Sequence, residues 1–324
     1  MRIVVTGGAG FIGSNFVRHA VQGDYPALAG AEVVVVDKLT YAGRKENLAP
    51  AAGNSALSFV EGDICDARLM GEVLRDTDLV VHFAAESHVD RSISGAGEFV
   101  RTNVQGTQTL LTAALDAEVG KFVHVSTDEV YGSLDADGTP WTEEEPLSPN
   151  SPYAASKASS DLMVLAFHRT HGLPVSVTRG SNTYGPYQYP EKIIPLFVSN
   201  LLAGRKVPLY GDGANIRDWL HVDDHCQGIA LVAGGGAPGE VYNVGGGTEL
   251  TNLALTERLL DLLGKDSSMV ERVADRKGHD RRYAMDISKI SGALGYQPAV
   301  PFDDGLAATV DWYRQHHGLW GDAA

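Results

Sequence analysis

The chain has 324 residues, of which 44% are hydrophobic and 21% are charged. This composition is typical of a globular protein and is too apolar for a disordered one. The length favours one large domain or two closely packed ones. The formal net charge of −15 argues against unguided binding to nucleic acid or to an anionic membrane. A few arginines and helix N-termini can still hold a small diphosphate in an acidic protein.

The two cysteines, Cys65 and Cys226, lie far apart in the sequence. Such a low count argues against a disulfide framework and is typical of the reducing cytosol. Neither cysteine has partners at metal-ligand spacing, so we expect no metal site. No signal peptide is recognisable near Met1, and no segment approaches the roughly 20 apolar residues that cross a bilayer. We therefore expect a cytoplasmic protein.

The first 180 residues alternate short β-branched runs with longer segments of helical character. The apolar runs are mostly continuous, which is typical of strands covered on both faces. The predicted strands are Ile3–Thr6, Glu32–Asp37, Ser58–Val60, Leu79–His82, Phe122–Ser126 and Val175–Thr178. The predicted helices are Phe11–Val21, Asp66–Arg75, Gly97–Ala117 and Tyr153–His171. This alternation predicts an α/β fold, a Rossmann-type parallel sheet wound by helices on both sides.

Prolines and glycine-rich turns punctuate the chain after Gly180. We interpret residues 1–180 as a dinucleotide-binding domain and residues 181–324 as a smaller substrate-binding lobe interleaved with it. Within the lobe, residues 215–245 are expected to return to the first domain. This expectation rests on the helical character of His221–Ala233 and the strand character of Val241–Val244.

A glycine-rich turn joins the first predicted strand to the first predicted helix. Gly7, Gly10 and Gly13 have the spacing Gly-x-x-Gly-x-x-Gly, with Phe11 and Ile12 before the third glycine. Glycines at these positions let the turn tighten, let the backbone approach a pyrophosphate and let the helix pack closely on the strand. The helix N-terminus would then face the phosphates. A purely structural glycine turn is the alternative.

The residues at the ends of two further predicted strands are of types that bind a dinucleotide. Asp37 ends the second strand, where a carboxylate accepts hydrogen bonds from the adenosine ribose and repels a 2′-phosphate. NAD is therefore favoured over NADP, although the neighbouring Lys38 weakens the preference. Phe83-Ala84-Ala85 follows the fourth strand and places small residues where the backbone approaches the cofactor.

Tyr153 and Lys157 are spaced to lie one helical turn apart on one face. A nearby cation stabilises a phenolate, so we expect the pKa of Tyr153 to fall from about 10 toward neutrality, as a general base requires. The pair follows a strand that ends in Ser126-Thr127, and the combination resembles the active site of short-chain dehydrogenases. A surface pair is the alternative.

Asp128 and Glu129 follow Thr127 directly. They lie at the carboxyl end of a parallel strand, where ligands bind in such sheets. Oxidation of an alcohol needs no such acids, whereas elimination of water needs one group to take a carbon-bound proton and another to protonate the leaving hydroxyl. An exposed loop pair is the alternative.

Over almost its whole length the chain resembles the dTDP-glucose 4,6-dehydratases, a family of extended short-chain dehydrogenases/reductases. The shared segments are Thr6–Gly13, Asp37–Gly43, Ala84–Ser92, Ser126–Gly132, Tyr153–Lys157, Asn182–Tyr187, Pro190–Lys192, Asn215–Trp219 and Gly278–Tyr283. Glu86-Ser87-His88 and Thr127-Asp128-Glu129 are the most specific of them. Lys277 departs from the proline usual before Gly278-His279-Asp280, which bears on a loop conformation and not on the chemistry.

The resemblance implies a lyase that converts dTDP-glucose to dTDP-4-keto-6-deoxyglucose with tightly bound NAD⁺, regenerated in each turnover. Tyr153, with Lys157 and Thr127, would take the 4-hydroxyl proton while C4 gives hydride to NAD⁺. Glu129 would remove the C5 proton, and protonated Asp128 would donate to the departing 6-hydroxyl. Because like charges this close cannot both ionise cheaply, we expect the pKa of Asp128 to be raised.

The resemblance also implies the ligand contacts. The implied cofactor-binding residues are Gly7, Gly10, Phe11, Ile12, Gly13, Asp37, Lys38, Leu39, Thr40, Asp63, Ile64, Phe83, Ala84, Ala85, Ser87, Thr102, Tyr153, Lys157 and Asn182. For Asp63, a helix N-cap is the alternative. The implied substrate-binding residues are Ser87, Thr127, Asn182, Glu191, Lys192, Pro208, Leu209, Tyr210, Arg217, Asn252, His279, Arg281 and Tyr283.

Arg217 and Arg281 are the candidates for the substrate diphosphate, because guanidinium groups match phosphate oxygens. Surface ion pairs are the alternative. Relatives further imply a homodimer through a four-helix interface formed by Gly97–Ala117 and Tyr153–His171.

Three other functions remain open. One is the same dehydration of UDP-glucose or CDP-glucose, since the residues that bind the nucleotide base are the hardest part of the site to predict from the sequence. Another is a sugar-nucleotide 4-epimerase, which Asp128 and Glu129 disfavour. The third is a non-catalytic NAD-binding protein, which would be expected to have lost Tyr153, Lys157 or the two acids.

Overall fold

The computed structural model describes residues 1–319, so the last five residues of the predicted lobe lie outside it. The strands are β1 (Arg2–Thr6), β2 (Glu32–Asp37), β3 (Leu57–Glu61), β4 (Leu79–His82), β5 (Lys121–Thr127), β6 (Val175–Gly180), β7 (Asn182–Tyr184), β8 (Val207–Tyr210), β9 (Ile216–His221), β10 (Glu240–Val244), β11 (Thr248–Thr251) and β12 (Val270–Val273). The α-helices are α1 (Phe11–Gln22), α2 (Ala67–Val73), α3 (Val89–Ser94), α4 (Ala96–Phe99), α5 (Thr107–Asp116), α6 (Pro152–His171), α7 (Ile193–Leu202), α8 (Val222–Gly235), α9 (Asn252–Leu263), α10 (Ser288–Leu294) and α11 (Phe302–Gln315).

The central sheet has seven strands in the order β10-β6-β5-β4-β1-β2-β3. Every neighbouring pair is parallel. All seven carboxyl ends therefore lie at one edge of the sheet, where parallel α/β folds bind ligands. This arrangement confirms the predicted α/β fold.

Apolar layers cover both faces of this sheet. Ile3 and Val5 point to the face covered by α1 and α8, whereas Val4 points to the face covered by α2, α5 and α6. Because both faces of the sheet are buried, side chains on both sides of each strand are apolar, and the strands are therefore continuous apolar runs in the sequence.

The remaining elements form a smaller lobe beyond the carboxyl edge of the sheet. It contains the three-stranded sheet β11-β9-β7 and the two-stranded ribbon β12-β8. Helices α7, α9 and α11 pack around a separate apolar core that includes Phe197, Leu259 and Tyr313. The chain crosses between the two parts, since α8 packs on the central sheet and β10 forms its edge, while β11 lies in the lobe.

The predicted helix Gly97–Ala117 is not one regular α-helix. It consists of α4, a π-helical stretch at Val100–Gly106, and α5. The Asn103 side chain accepts a hydrogen bond from the Glu86 N–H at 2.8 Å and donates to the Glu86 carbonyl at 3.0 Å and to Ser156 Oγ at 2.8 Å. These three bonds fix the widened turn against the loop after β4 and against α6, and π-turns of this kind often mark functional sites.

Within residues 1–319, the helices are all too short or too polar to cross a lipid bilayer.

Candidate active site

One long cavity follows the carboxyl edge of the central sheet and continues under the lobe. Its walls come from the segments after β1, β2, β3, β4, β5 and β6, together with segments of the lobe around β8, β9 and α9. The predicted ligand-binding residues all line it, except Leu39 and Arg281. The motifs that are scattered through the sequence therefore meet in one place.

The glycine-rich turn has no room for side chains. Gly7 has a φ of 69°, and a Cβ there would lie 2.5 Å from the Ala84 nitrogen. A Cβ on Gly13 would lie 2.3 Å from the Gly7 oxygen. Gly10 precedes α1 and supplies no side-chain cap, so the first N–H groups of the helix are available to an anion. The turn has the shape that a pyrophosphate cradle requires.

Asp37 lies where β2 ends and is only 8% exposed. Its carboxylate accepts hydrogen bonds from the Ala9 N–H at 2.9 Å and the Leu39 N–H at 2.8 Å. Burial raises the pKa of Asp37, and these two bonds partly oppose the rise. Leu39 contributes its N–H, but its side chain packs against the core beside α1 and does not line the cavity.

Asp63 forms ion pairs with Lys38 at 2.9 Å and with Arg101 at 3.0 Å. Burial alone would raise its pKa, but hydrogen bonds from the Cys65 N–H and from Lys38 lower it to about 2. The N-cap of α2 is Asp66, whose side chain accepts the Leu69 N–H. The alternative of Asp63 as a helix cap is therefore wrong.

Helix α6 brings Tyr153 and Lys157 beside the end of β5. Ser151 caps this helix by accepting the Ala154 N–H. Lys157 Nζ donates to the Val125 carbonyl at 2.8 Å, and burial lowers the pKa of Lys157 to about 8. This bond ties the ammonium group to β5, and both Lys157 and Tyr153 line the cavity.

The expected fall in the pKa of Tyr153 is wrong for the protein alone. Burial raises the pKa of Tyr153 well above its usual value, and the negative charge of Glu129 adds to the rise. A hydrogen bond with Thr127 acts in the opposite direction. Sequence spacing predicts that Lys157 is on the same helix face but does not reveal desolvation, which here has the largest effect on the pKa of Tyr153.

Asp128 and Glu129 do not form an exposed loop pair. Asp128 is 2% exposed, its Oδ1 accepts a hydrogen bond from Thr127 Oγ1 at 3.2 Å, and its Oδ2 has no partner among residues 1–319. Burial raises the pKa of Asp128 well above its usual range, and Glu129 and Asp218 raise it further. The direction agrees with a protonated acid.

Glu129 has a different environment. Burial raises its pKa, while Lys192, Arg276 and Arg217 oppose the rise. Both carboxyl groups are desolvated, but three cations act on Glu129, whereas Glu129 and Asp218 are the main charges acting on Asp128. Such a difference between two neighbouring carboxyl groups separates a base from an acid.

The lobe contributes buried positive charge. Arg217 is 5% exposed and donates to the Asp280 carbonyl at 3.0 Å, with its guanidinium 4.2 Å from the centre of the Tyr283 ring. Among residues 1–319, no carboxylate lies within ion-pair distance of Arg217. Lys192 Nζ donates to the Ser87 carbonyl at 2.7 Å. A buried cation without a carboxylate partner favours an anionic ligand.

Arg281, predicted to bind the diphosphate, does not line the cavity. Its half-exposed guanidinium lies 3.7 Å from Asp212 Oδ1, and its N–H donates to Ser133 Oγ. Arg276 from the same loop lines the cavity instead, and its buried Nε has no hydrogen-bond partner in the part of the chain described. Arg276 was not predicted, because none of the motifs contains it. Its position two residues before Gly278 was the one signal in the sequence that it could lie beside the same turn.

Several other cavity residues were also missed. His225 Nδ1 lies 2.8 Å from Thr183 Oγ1, while its buried Nε2 has no partner within residues 1–319. Trp219 Nε1, which was also not predicted, and Asn182 Oδ1, which was predicted to contact both ligands, likewise have no partner within residues 1–319. Unpaired buried polar atoms are costly, so their concentration around this cavity fits a ligand rich in hydrogen-bonding groups.

Comparisons with known proteins agree with this geometry. The family model described as GDP-mannose 4,6 dehydratase matches residues 4–309. A dTDP-glucose 4,6-dehydratase from an Actinoplanes species is 59% identical over 321 residues, covering 99% of this chain and 100% of the relative.

Solved structures give the same result. The crystal structure of DesIV, a dTDP-glucose 4,6-dehydratase from Streptomyces venezuelae with NAD and TYD bound, matches with a TM-score of 0.98, 63% identity and complete coverage of both chains. A UDP-glucose 4-epimerase from Thermotoga maritima matches with a TM-score of 0.89 and 34% identity, over 97% of this chain and 99% of that one. With its glycine turn, its buried acid pair and this similarity over nearly all its length, the chain belongs to the GDP-mannose 4,6-dehydratase family.

Proposed function

We propose that this chain is an NAD-dependent dTDP-glucose 4,6-dehydratase. The observation that carries the proposal is the buried Asp128–Glu129 pair in the same cavity as Tyr153 and Lys157. A hydride-transfer site alone fits many reactions, but an adjacent acid and base fit the elimination of water. The relatives described as dTDP-glucose 4,6-dehydratases support the same activity.

The cavity fits NAD at its Rossmann end. The turn at Gly7–Gly13 would hold the pyrophosphate, Asp37 the adenosine ribose, and Asp63 with Ile64 would flank the adenine. The buried Asn182 Oδ1 has no hydrogen-bond partner within residues 1–319, so it could accept a hydrogen bond from the cofactor. When bound, NAD⁺ supplies a redox partner that takes hydrogen with its bonding electrons from C4 of the sugar and later returns it to C6.

Tyr153 removes the proton of the sugar 4-hydroxyl. Thr127 opposes the rise in the pKa of Tyr153, and its hydroxyl would hydrogen-bond the reacting oxygen. Lys157 sits in a buried site and can be charged or neutral near pH 8. Its role is to stabilise the phenolate electrostatically, against the desolvation and the carboxylate charge that oppose ionisation.

Glu129 and Asp128 then divide the elimination between them. The 4-ketone acidifies the C5–H bond, and Glu129, which faces the cations, removes that proton. Asp128, whose pKa is raised by burial and by Glu129, donates a proton to the departing 6-hydroxyl. Glu129 finally returns a proton to C5. The two carboxyl groups interact strongly, so they titrate as a pair.

The lobe holds the nucleotide diphosphate. Arg217, Lys192 and Arg276 are the cations that line this part of the cavity, and charge-assisted hydrogen bonds from such groups fix phosphate oxygens. Further substrate contacts are proposed from Ser87, Asn182, Glu191, Pro208, Leu209, Tyr210, Asn252, His279 and Tyr283, all of which line the cavity. UDP-glucose and CDP-glucose remain alternative substrates with the same sugar chemistry.

A substrate panel tests the proposal. Purified protein is incubated with dTDP-, UDP- or CDP-glucose in D₂O, and the product is analysed by NMR. We expect turnover of dTDP-glucose to a 4-keto-6-deoxy sugar with deuterium at C5 and no net NADH. A 4-epimer, or a product without deuterium at C5, would contradict the proposal. If UDP- or CDP-glucose were turned over faster, that nucleotide sugar would be the substrate, and the proposed mechanism would stay the same.

We also propose that the chain forms a homodimer through the segments Gly97–Ala117 and Tyr153–His171. Support comes from two exposed apolar side chains on these segments, Val100 at 55% and Leu162 at 58% exposure. A second copy would cover both. A monomeric mass in sedimentation at micromolar concentration would contradict this assembly.

The division into a cofactor domain at residues 1–180 and a substrate lobe from residue 181, with residues 215–245 returning to the first domain, belongs to the same proposal. A cytoplasmic location also belongs to it. The free thiols of Cys65 and Cys226 support that location.

A further inference from the structure

Three segments meet at the outer wall of the cavity. Tyr41 belongs to the segment after β2, Arg91 belongs to α3 after β4, and Glu191 precedes α7 of the lobe. The Arg91 guanidinium lies 3.8 Å from the centre of the Tyr41 ring, and Arg91 Nε lies 3.2 Å from Glu191 Oε2. Burial and the negative charge of Glu191 raise the pKa of Tyr41, so the carboxylate lies near the phenol. Arg91 thus contacts both Tyr41 and Glu191 and joins them.

Two neighbouring contacts extend this junction. Tyr41 packs edge-on against Tyr189 with 5.4 Å between ring centres. Lys192 Nζ donates to the Ser87 carbonyl at 2.7 Å. Each contact joins a loop of the central sheet to the lobe, and so spans the cavity.

Of the three junction residues, Glu191 lines the cavity, whereas Tyr41 and Arg91 lie behind residues that face it directly. Thr40 and Ala42 flank Tyr41, Asp90 precedes Arg91, and all three line the cavity. Tyr41 and Arg91 do not line it. They therefore form an outer layer that holds the lining segments together, and they are not ligand contacts themselves.

We propose that Arg91 is a positioning residue for the cofactor, and that by joining Tyr41 to Glu191 it closes the cavity wall and slows the release of NAD. The inference rests on the proposed function. A dinucleotide enclosed beneath this wall must wait for the segments to part, so the strength of the junction sets its rate of escape.

The Arg91 side chain is 49% exposed, whereas that of Glu191 is only 11% exposed. An ion pair and a cation–π contact at a partly exposed site are each modest. Breaking both should accelerate NAD release by about five- to tenfold. Since the ion pair is reached by solvent, salt should weaken it and speed release in the unaltered protein.

The test uses the full-length protein with its bound cofactor. Isotopically labelled NAD⁺ is added in excess, and the exchange of bound for labelled NAD is followed by mass spectrometry. Arg91→Gln should exchange about five- to tenfold faster, with little further gain on adding salt. Arg91→Lys should lie in between, because it keeps the charge but loses the flat contact with Tyr41. Tyr41→Phe keeps the ring and should have a smaller effect than Tyr41→Ala.

Arg68→Gln is the matched control. Arg68 forms an exposed ion pair with Glu72 at 3.2 Å within α2 and does not line the cavity, so its loss should leave the exchange rate and its salt dependence unchanged. Equal exchange rates in Arg91→Gln and the unaltered protein would overturn the inference and leave the proposed function intact. Protein that binds no NAD would overturn both.

Discussion

Burial raises the pKa of both Asp128 and Glu129, but the charged groups around the two carboxyl groups differ. One carboxyl oxygen of Asp128 lacks any partner within the described chain, and burial favours its protonated form. Burial also raises the pKa of Glu129, but Lys192, Arg276 and Arg217 oppose the rise. The proposed roles of the two groups as acid and base rest on this difference.

Replacement of Glu129 by glutamine should separate oxidation from elimination. Glu129→Gln keeps the size of the side chain but removes the base for C5, so turnover should fall by about 10²–10⁴-fold. Addition of dTDP-glucose should still produce the absorbance of bound NADH, which then persists. Normal turnover, or no reduced cofactor at all, would contradict the assignment.

Replacement of Tyr153 by phenylalanine should block the first step itself. Tyr153→Phe loses the proton acceptor for the 4-hydroxyl, and we expect turnover to fall by at least about 10²-fold. In contrast to Glu129→Gln, no NADH absorbance should develop. If the variant still reduced its cofactor, a group other than Tyr153 would have to be the base.

The buried charge of Lys157 should cost stability. Burial lowers the pKa of Lys157 from 10.5 to about 8, so the unfolded chain binds more protons between these values. The cost is complete below about pH 8 and disappears as the pH rises toward 10.5.

Lys157→Met should therefore raise the free energy of unfolding at pH 7 by on the order of 2 kcal/mol, after allowance for the lost bond to the Val125 carbonyl. Urea unfolding at pH 7 and near pH 10 measures the difference. A variant less stable than the unaltered protein at pH 7, or a gain that grows with pH, would contradict this reasoning.

At the scale of elements, the turn between β1 and α1 depends on the absence of side chains. A Cβ on Gly13 would lie 2.3 Å from the Gly7 oxygen, and backbone cannot yield as a flexible side chain can. Gly13→Ala should therefore displace the turn and weaken NAD binding by more than about tenfold.

Gly71→Ala is the control, because a Cβ there meets nothing within 4 Å and α2 should gain about 0.5–1 kcal/mol from alanine. Calorimetric titration with NAD⁺ and thermal unfolding measure both effects. If Gly13→Ala bound NAD with the same affinity as Gly71→Ala, the turn would tolerate a side chain and the prediction would be wrong.

The strands of the central sheet could be predicted from the sequence because burial on both faces leaves continuous apolar runs. β2 and β4 have the predicted bounds, while β5 and β6 extend by one or two residues. The interruption of the predicted helix Gly97–Ala117 could not be foreseen. It depends on the Asn103 contacts with Glu86 and Ser156, which lie far away in sequence.

Much of the site could be predicted because motifs fix residue types at strand ends. The pKa of Tyr153 could not, since desolvation depends on packing from several elements. The sequence also could not show that Arg276 lines the cavity and Arg281 does not, because the path of the loop around Gly278 decides which guanidinium enters the cavity. That loop has no periodic pattern from which its path could be predicted.

At the scale of the whole molecule, two structural parts enclose one cavity, and a chain of net charge −15 concentrates buried cations there. Arg217 is held by the Asp280 carbonyl and the Tyr283 ring rather than by a carboxylate. Its charge therefore remains available to a diphosphate. In the proposed function, the central sheet positions the redox chemistry and the lobe selects the nucleotide sugar.

In the proposed reaction, hydrogen removed from C4 returns to C6 of the same sugar molecule. The decisive experiment is turnover of dTDP-glucose carrying deuterium at C4, in H₂O, with NMR of the product. We expect deuterium at C6, transferred within one sugar molecule, and a C5 hydrogen drawn from the solvent. Deuterium retained at C4, or lost to water, would contradict it.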